Sequence, residues 1–425
     1  MNAKGKYGIV VALVLSTVLP LLAQQTNKPP FPYVWAKAYH VLPNTTSDES
    51  GYFSLCEGLN CKIYVGCAQY NYNAYLVEFD PRTEKQRIVI DTRKLCGLTA
   101  SGYAAQSKIH TRNFVGPSGK IYVGSKQGYK TIPGDTSEYP GGYLMTYDPN
   151  ADKAQCLGMP LAREGVIDVV ADEKRGLIYS VSCEEQHYMV YDTKTKKYRE
   201  LDPALRVTPY ATTLLDSRGR ANVITKDFQL AQYDPATDKI TTRDILVDGK
   251  KFVRANNYAI PAWNLAADGR TAYLVLLNDP TLIRIDLLSE GATVAAKNCG
   301  KLIEGKGPDS RCALSIAPDG RVYTLIRIDN TTKFGGGYLH HLTRYTPKTG
   351  KIEDLGVLAV KNPDFYDWSP LWNGQPRPWS HGYHKLPDGT LTPLHSHMGM
   401  VVGHDGRIWV TILYPYSLLR IDPIR

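Results

Sequence analysis

Gly119-Lys120-Ile121-Tyr122, answered downstream by Tyr147-Asp148-Pro149, is one copy of a phrase that recurs along the chain. Earlier it reads Cys61-Lys62-Ile63-Tyr64 with Phe79-Asp80-Pro81. Later copies run Gly176-Leu177-Ile178-Tyr179 with Tyr191-Asp192, and Gly219-Arg220-Ala221-Asn222 with Tyr233-Asp234-Pro235. Three more follow: Gly269-Arg270-Thr271-Ala272-Tyr273 with Ile285-Asp286, Gly320-Arg321-Val322-Tyr323 with Tyr345-Thr346-Pro347, and Gly406-Arg407-Ile408-Trp409 with Ile421-Asp422-Pro423. Recurrence at a period of roughly 40 to 50 residues marks an array of similar supersecondary units.

Each unit is β in character. Stretches such as Arg321-Val322-Tyr323-Thr324-Leu325-Ile326 are short and rich in β-branched and aromatic residues. Asp268-Gly269, Asp319-Gly320 and Asp405-Gly406 supply tight hairpin turns, and Asp234-Pro235-Ala236-Thr237 turns a third strand into a fourth. Amphipathic helical periodicity is missing. Four strands per unit at this period predict an all-β, seven-bladed β-propeller. The last unit, residues 398–425, ends after its third strand. The segment Tyr33-Val34-Trp35-Ala36-Lys37-Ala38-Tyr39 is expected to supply the fourth and close the ring, removing open edges.

Residues 1–23 have the pattern of a secretory signal: Lys4 and Lys6, an apolar run from Ile9 to Leu22, and a small-residue exit at Ala23. Residues 24–425 are then expected to form one propeller domain, secreted or periplasmic, with no membrane span. The formal charge of +9 includes Lys4 and Lys6, and its signs are interspersed without runs, which argues against a nucleic-acid partner. Of the eight cysteines, Cys56 with Cys61 and Cys299 with Cys312 are spaced for local disulfides, while Cys67 and Cys183 fall in apolar strand patterns as buried thiols. No Cys-x-x-Cys pair suggests a zinc site.

Three connections that emerge on one face of a propeller are long: residues 126–142, residues 329–339 with their Gly335-Gly336-Gly337 hinge, and residues 360–394. Strand alternation in Lys108-Ile109-His110-Thr111-Arg112 predicts Lys108, His110 and Arg112 on a common side. Glu164, Asp168, Tyr210, Asn257, Tyr258, Trp263 and Arg311 occupy related positions in other units. The loops add Lys126, Tyr129, Tyr139, His187, His340 and His341. Among these, His110 is the expected general base, because imidazole titrates near neutrality. Alternatively it is a packed channel histidine. Tyr129 and Tyr139 are candidates for an acid or a stacking platform. Arg112 and Arg311 have the fork geometry to clamp a carboxylate, or to pair with Glu164 or Asp168. His395-x-His397, with His381 and His384 upstream, is the one metal-like spacing, suited to a divalent ion such as Ca or Zn. Trp368, Trp372 and Trp379 form either a sugar-stacking wall or a loop anchor. Serine-nucleophile, P-loop and dinucleotide signatures are absent.

The combination Lys108-Ile109-His110-Thr111, Gly119-Lys120-Ile121-Tyr122-Val123-Gly124 and Tyr139-Pro140-Gly141-Gly142-Tyr143-Leu144 resembles a group of exported bacterial propeller proteins. More loosely, the whole chain resembles the seven-bladed carbohydrate-active propellers: rhamnose–glucuronate lyases, propeller rhamnosidases and ulvan lyases. That resemblance implies an exported polysaccharide lyase acting by β-elimination on a uronate glycan. His110 would be the base and Tyr139 the acid, and Arg112 would neutralise the carboxylate. Lys108, Lys126, Tyr129, His187, Tyr210, Arg311 and Trp372 would contact an acidic polysaccharide or oligosaccharide, and His395 and His397 would hold a metal. Two alternatives remain open: a rhamnosidase-like glycosidase, and a non-catalytic propeller binding glycan or protein.

Overall fold

A computed structural model describes residues 28–47, 51–209, 212–253, 262–311, 313–368, 371–372, 375–376, 382–395 and 399–424. The expected signal segment, Tyr210, Asn257, Tyr258, Cys312, Trp379, His381 and His397 lie outside these residues, and Trp372 is placed only as backbone of the two-residue strand Leu371–Trp372.

The described strands sort into consecutive antiparallel sets. The third is the simplest: Gly165–Asp172, Leu177–Cys183, Tyr188–Asp192 and Lys197–Glu200 pair in sequence order. The inner two strands are almost wholly buried and the outer one alternates exposed and half-buried positions. A strand covered on both faces by neighbouring blades needs apolar residues on both, whereas a rim strand needs them on one. Leu55–Glu57 to Lys85–Asp91, Leu214–Leu215 to Lys239–Val247, Ala262–Leu265 to Thr293–Lys301, and Leu314–Ile316 to Lys351–Val360 repeat the pattern. The second set and the final one complete the series. The fold is a β-propeller. No described helix is long and apolar enough to cross a membrane.

The last set contains Met400–Val402, Ile408–Ile412 and Ser417–Ile421, and its fourth strand is Tyr33–His40. Ala36 pairs with Ile421 and His40 with Ser417, antiparallel, as expected from the truncated final repeat. The same strand also pairs in parallel with Lys351–Val360, matching Tyr33 to Val357 and Ala36 to Val360. Ala36 thus lies fully buried in the seam between two blades, beside Leu358, Val360 and Leu419.

Placing a carboxylate there tests the seam. Ala36→Asp is expected to lower the stability measured by urea unfolding by about 3 kcal/mol or more, because the buried charge finds no partner. The exposed substitution Trp35→Asp, on the opposite side of the same strand, should change it far less.

Candidate functional site

In the second set the inner strand is interrupted. Lys108–Ile109 pairs with Lys126 and Ser125 of its own blade and, through Lys108, with Ala68 of the first blade. Pairing resumes only at Phe114–Val115, against Tyr122 and Ile121. Between the two, Thr111 accepts a hydrogen bond from the Gly124 N–H at 3.0 Å. Gly124 is needed there, since a Cβ would sit 2.4 Å from Val166 Cγ1 of the third blade. The break ends the regular alternation expected of residues 108–112: Lys108 and His110 both reach the Tyr52 ring, while Arg112 departs from them.

Lys108 is buried, with its ammonium 5.0, 5.1 and 4.5 Å from the ring centroids of Tyr52, Tyr70 and Tyr129. Its Nζ donates to Tyr70 Oη at 3.3 Å. Three aromatic faces replace much of the water a buried cation gives up. The His110 ring packs edge-on against Tyr52 and Phe53, at 4.8 and 4.7 Å between centroids. Arg112 turns into the central channel and donates to the Trp263 carbonyl at 2.6 Å.

Tyr139 belongs to a third environment. It is buried, and its hydroxyl donates to Gln106 Oε1 at 2.7 Å. Gln106 in turn accepts from Ser125 Oγ and donates to the Gly141 carbonyl. Burial pushes the phenol well above its ordinary 10. The neighbouring Pro-Gly-Gly is set by close packing: a Cβ on Gly142 would lie 2.2 Å from the Ser125 carbonyl oxygen. So the motif that carried the carbohydrate-active resemblance positions the insertion against the second and third blades.

The remaining candidates are dispersed. Lys126 donates to Cys183 Sγ at 2.9 Å and lies 3.7 Å from Glu184; against burial, which lowers it, these neighbours hold its ammonium above the usual lysine value. His187 Nδ1 meets Glu200 at 2.5 Å, and Arg311 pairs with Asp309 at 3.4 Å. His340 Nδ1 bonds the Pro393 carbonyl and His341 bonds Asp354. His395 packs 5.3 Å from the Tyr414 ring, and no group of three or more potential metal ligands occurs among the described residues. Cys56, Cys61 and Cys299 are free thiols, so the expected Cys56–Cys61 disulfide does not form here. Cys61 is exposed at a left-handed turn position while Cys56 is buried in the inner strand.

Two surfaces stand out instead. The first lies on the face carrying the long insertion, where three loops are stitched together. Asn71 donates to Thr131 Oγ1 at 2.7 Å, its carbonyl accepts from the Gly102 N–H, and the Tyr103 N–H donates to Asp135. On this platform Tyr72, Tyr129 and Ile132 are about half exposed, and cations lie on the rings: Arg93 is 5.0 Å from Tyr72, and Lys130 is 4.8 Å from Tyr103. A cleft of about 210 Å³ opens beside them, between Tyr72, Arg93, Thr99 and Pro140.

The second is the central channel, a cavity of about 700 Å³ to which every set contributes inner-strand residues, among them Arg112, Asp168, Thr213, Asn264, Ser315 and Met400. It reaches the hairpin turns at Pro117, Arg175 and Arg218, at the opposite end of the strands from the insertions. Asp168 is one of the sequence candidates, although the expected site lies on the face of the long loops. Burial pushes Asp168 up from 3.8 to about 6, against the Thr213 N–H, which it accepts at 2.7 Å, and the charge of Arg112.

No protein-family profile and no curated protein matches the chain. Solved structures do. The WD40 repeats of RRP9 superpose with a TM-score of 0.53 at 10% identity, covering 90% of this chain and 96% of that one. The structure of U3-55K gives 0.52 at 9% identity, covering 89% and 97%. At such identities the likeness establishes the β-propeller fold alone, and nothing in it points to a lyase or rhamnosidase family.

Asp168 yields a pH prediction. Its folded pKa lies above the unfolded value, so the native state binds the extra proton. The stability this contributes is complete below about pH 4 and lost as pH rises through about 6, a change of about 3 kcal/mol. Urea unfolding at a series of pH values should show that decline in the wild type. Asp168→Asn, which retains an acceptor for the Thr213 N–H, should remove it.

Proposed function

We propose that this chain is a non-catalytic binding propeller, exported after loss of residues 1–23, and that its ligand is an acidic glycan. The observation that carries it is the stitched platform around Tyr72, Tyr103 and Tyr129, where surface aromatic rings alternate with Arg93 and Lys130. Ring faces offer flat apolar area for a sugar, and the cations offer partners for its carboxylates. A β-elimination centre would need His110, Tyr139 and a cation around one substrate carbon. Here His110 lies between Tyr52 and Phe53, the Tyr139 hydroxyl is spent on Gln106, and Arg112 is in the channel. Non-catalytic binding therefore fits better than the lyase, and a paired-carboxylate glycosidase finds the channel carboxylates of the third blade already engaged, Asp168 by the Thr213 N–H, Asp172 by Arg175 and Glu173 by Ser118.

Titration calorimetry with polygalacturonate should give saturable, salt-sensitive binding. Tyr129→Ala combined with Lys130→Ala should weaken it about tenfold, equivalent to about 1.4 kcal/mol. Neutral dextran should not bind. Release of unsaturated uronate products would overturn the proposal in favour of a lyase, and preference for poly-glutamate would redirect it to a protein partner. Tyr139→Phe should leave the affinity unchanged while costing about 1 kcal/mol in urea unfolding, through the lost bond to Gln106.

A further inference from the structure

Cys96 and Cys156 lie far apart in sequence, and neither belongs to the spacings that suggested disulfides. In the fold they meet. Cys96 caps the short helix Thr92–Leu95, which follows the outer strand of the first blade, and its N–H donates to the Thr92 carbonyl at 3.0 Å. That helix packs against Lys153–Gly158, the outer strand of the second blade. Cys156 sits where this strand bulges, the register shifting between Cys156 and Gly158. Across this contact Cys96 and Cys156 are neighbours, each near enough to alter the other's proton affinity. Both cysteines are partly exposed, and Tyr143 and Tyr198 flank them.

We propose that Cys96 and Cys156 form a redox-active pair that closes to a disulfide and staples the rims of the first two blades together. The oxidant class is a small disulfide such as glutathione disulfide. The sulfurs are not equivalent. The nearness of Cys96, acting against burial, brings Cys156 below the ordinary thiol value, whereas Cys156, together with burial, raises Cys96. Cys156 is therefore the attacking thiolate. It displaces one glutathione thiolate from the oxidant and becomes a mixed disulfide. The negative charge that held the proton on Cys96 is then gone. Cys96 loses that proton to solvent and attacks the Cys156 sulfur, expelling the second glutathione. One protein S–S bond forms, one oxidant S–S bond breaks, and two electrons leave the thiols for two molecules of glutathione.

The staple has a structural consequence. Residues 97–107 directly follow Cys96 and carry Tyr103 and one wall of the cleft beside Tyr72. Oxidation fixes one end of that connection to the neighbouring blade. The bond itself does not depend on what the face binds.

The test uses the full chain, folded, in glutathione redox buffers, followed by alkylation of remaining thiols and peptide mass mapping. Oxidation should join the peptides containing Cys96 and Cys156, with a mass lower by two hydrogens, and leave Cys56, Cys61 and Cys299 alkylated. Cys96→Ser should stop at a glutathione adduct on Cys156, and Cys156→Ser should leave Cys96 largely unmodified. Thermal unfolding should shift upward on oxidation in the wild type and stay unchanged by reductant in either variant. Both thiols remaining alkylatable under fully oxidising buffer would overturn the pair. So would Cys96 bridging to another cysteine. Glutathione accumulating on Cys96 first would overturn the assignment of Cys156 as the attacking sulfur.

Discussion

The structure depends on one strand placed out of sequence order. Tyr33–His40 supplies the fourth strand of the last blade and simultaneously pairs in parallel with Lys351–Val360, the outer strand of the blade before it. A ring of blades has no stable partial form of its own at the join, since an open blade leaves a row of unpaired N–H and C=O groups and an uncovered apolar face. Here the N-terminal strand satisfies both sides, with Val34, Ala36 and Ala38 turned into the core and Trp35 turned out. The small side chains at positions 36 and 38 let the two neighbouring sheets approach.

Once the ring is closed, its loops can be long without loosening the whole. The insertion at residues 127–142 is held by Tyr139, Gln106 and Gly142 at its base and by Asp135 and Thr131 at its tip. Its outer residues remain free to present rings and cations to solvent. The same insertion therefore has a scaffold half and a surface half. Tyr139 belongs to the first and Tyr129 to the second, although both are loop tyrosines in sequence. Burial separates them: one phenol is satisfied by a buried amide, the other ring covers a buried ammonium and faces water.

Much of the fold was legible because it is local and repeated. Hairpin turns such as Asp319-Gly320 and the alternation of apolar strands recur in every unit, so their meaning is confirmed by each copy, and the incomplete last repeat pointed to Tyr33–Tyr39 as the missing strand. The site was less legible. Alternation placed Lys108, His110 and Arg112 together, but alternation holds only while a strand is continuous, and beyond the interruption after Ile109 Arg112 leaves the other two for the channel. The Cys96–Cys156 contact was equally hidden, since it joins a helix cap to a bulge on a different blade.

Periodicity and turn chemistry in the chain alone were enough for an all-β propeller, for its closing strand, and for which connections are long. These follow from steric and hydrogen-bonding rules acting over a few residues. The destinations of the polar side chains were decided only in three dimensions. Lys108 goes into a tyrosine cage, Arg112 into the channel, Tyr139 onto Gln106, and Cys96 against Cys156. Each of those partners comes from a distant part of the chain. Burial, which sets both the hydrogen bonds and the proton affinities, is a property of the packed blades.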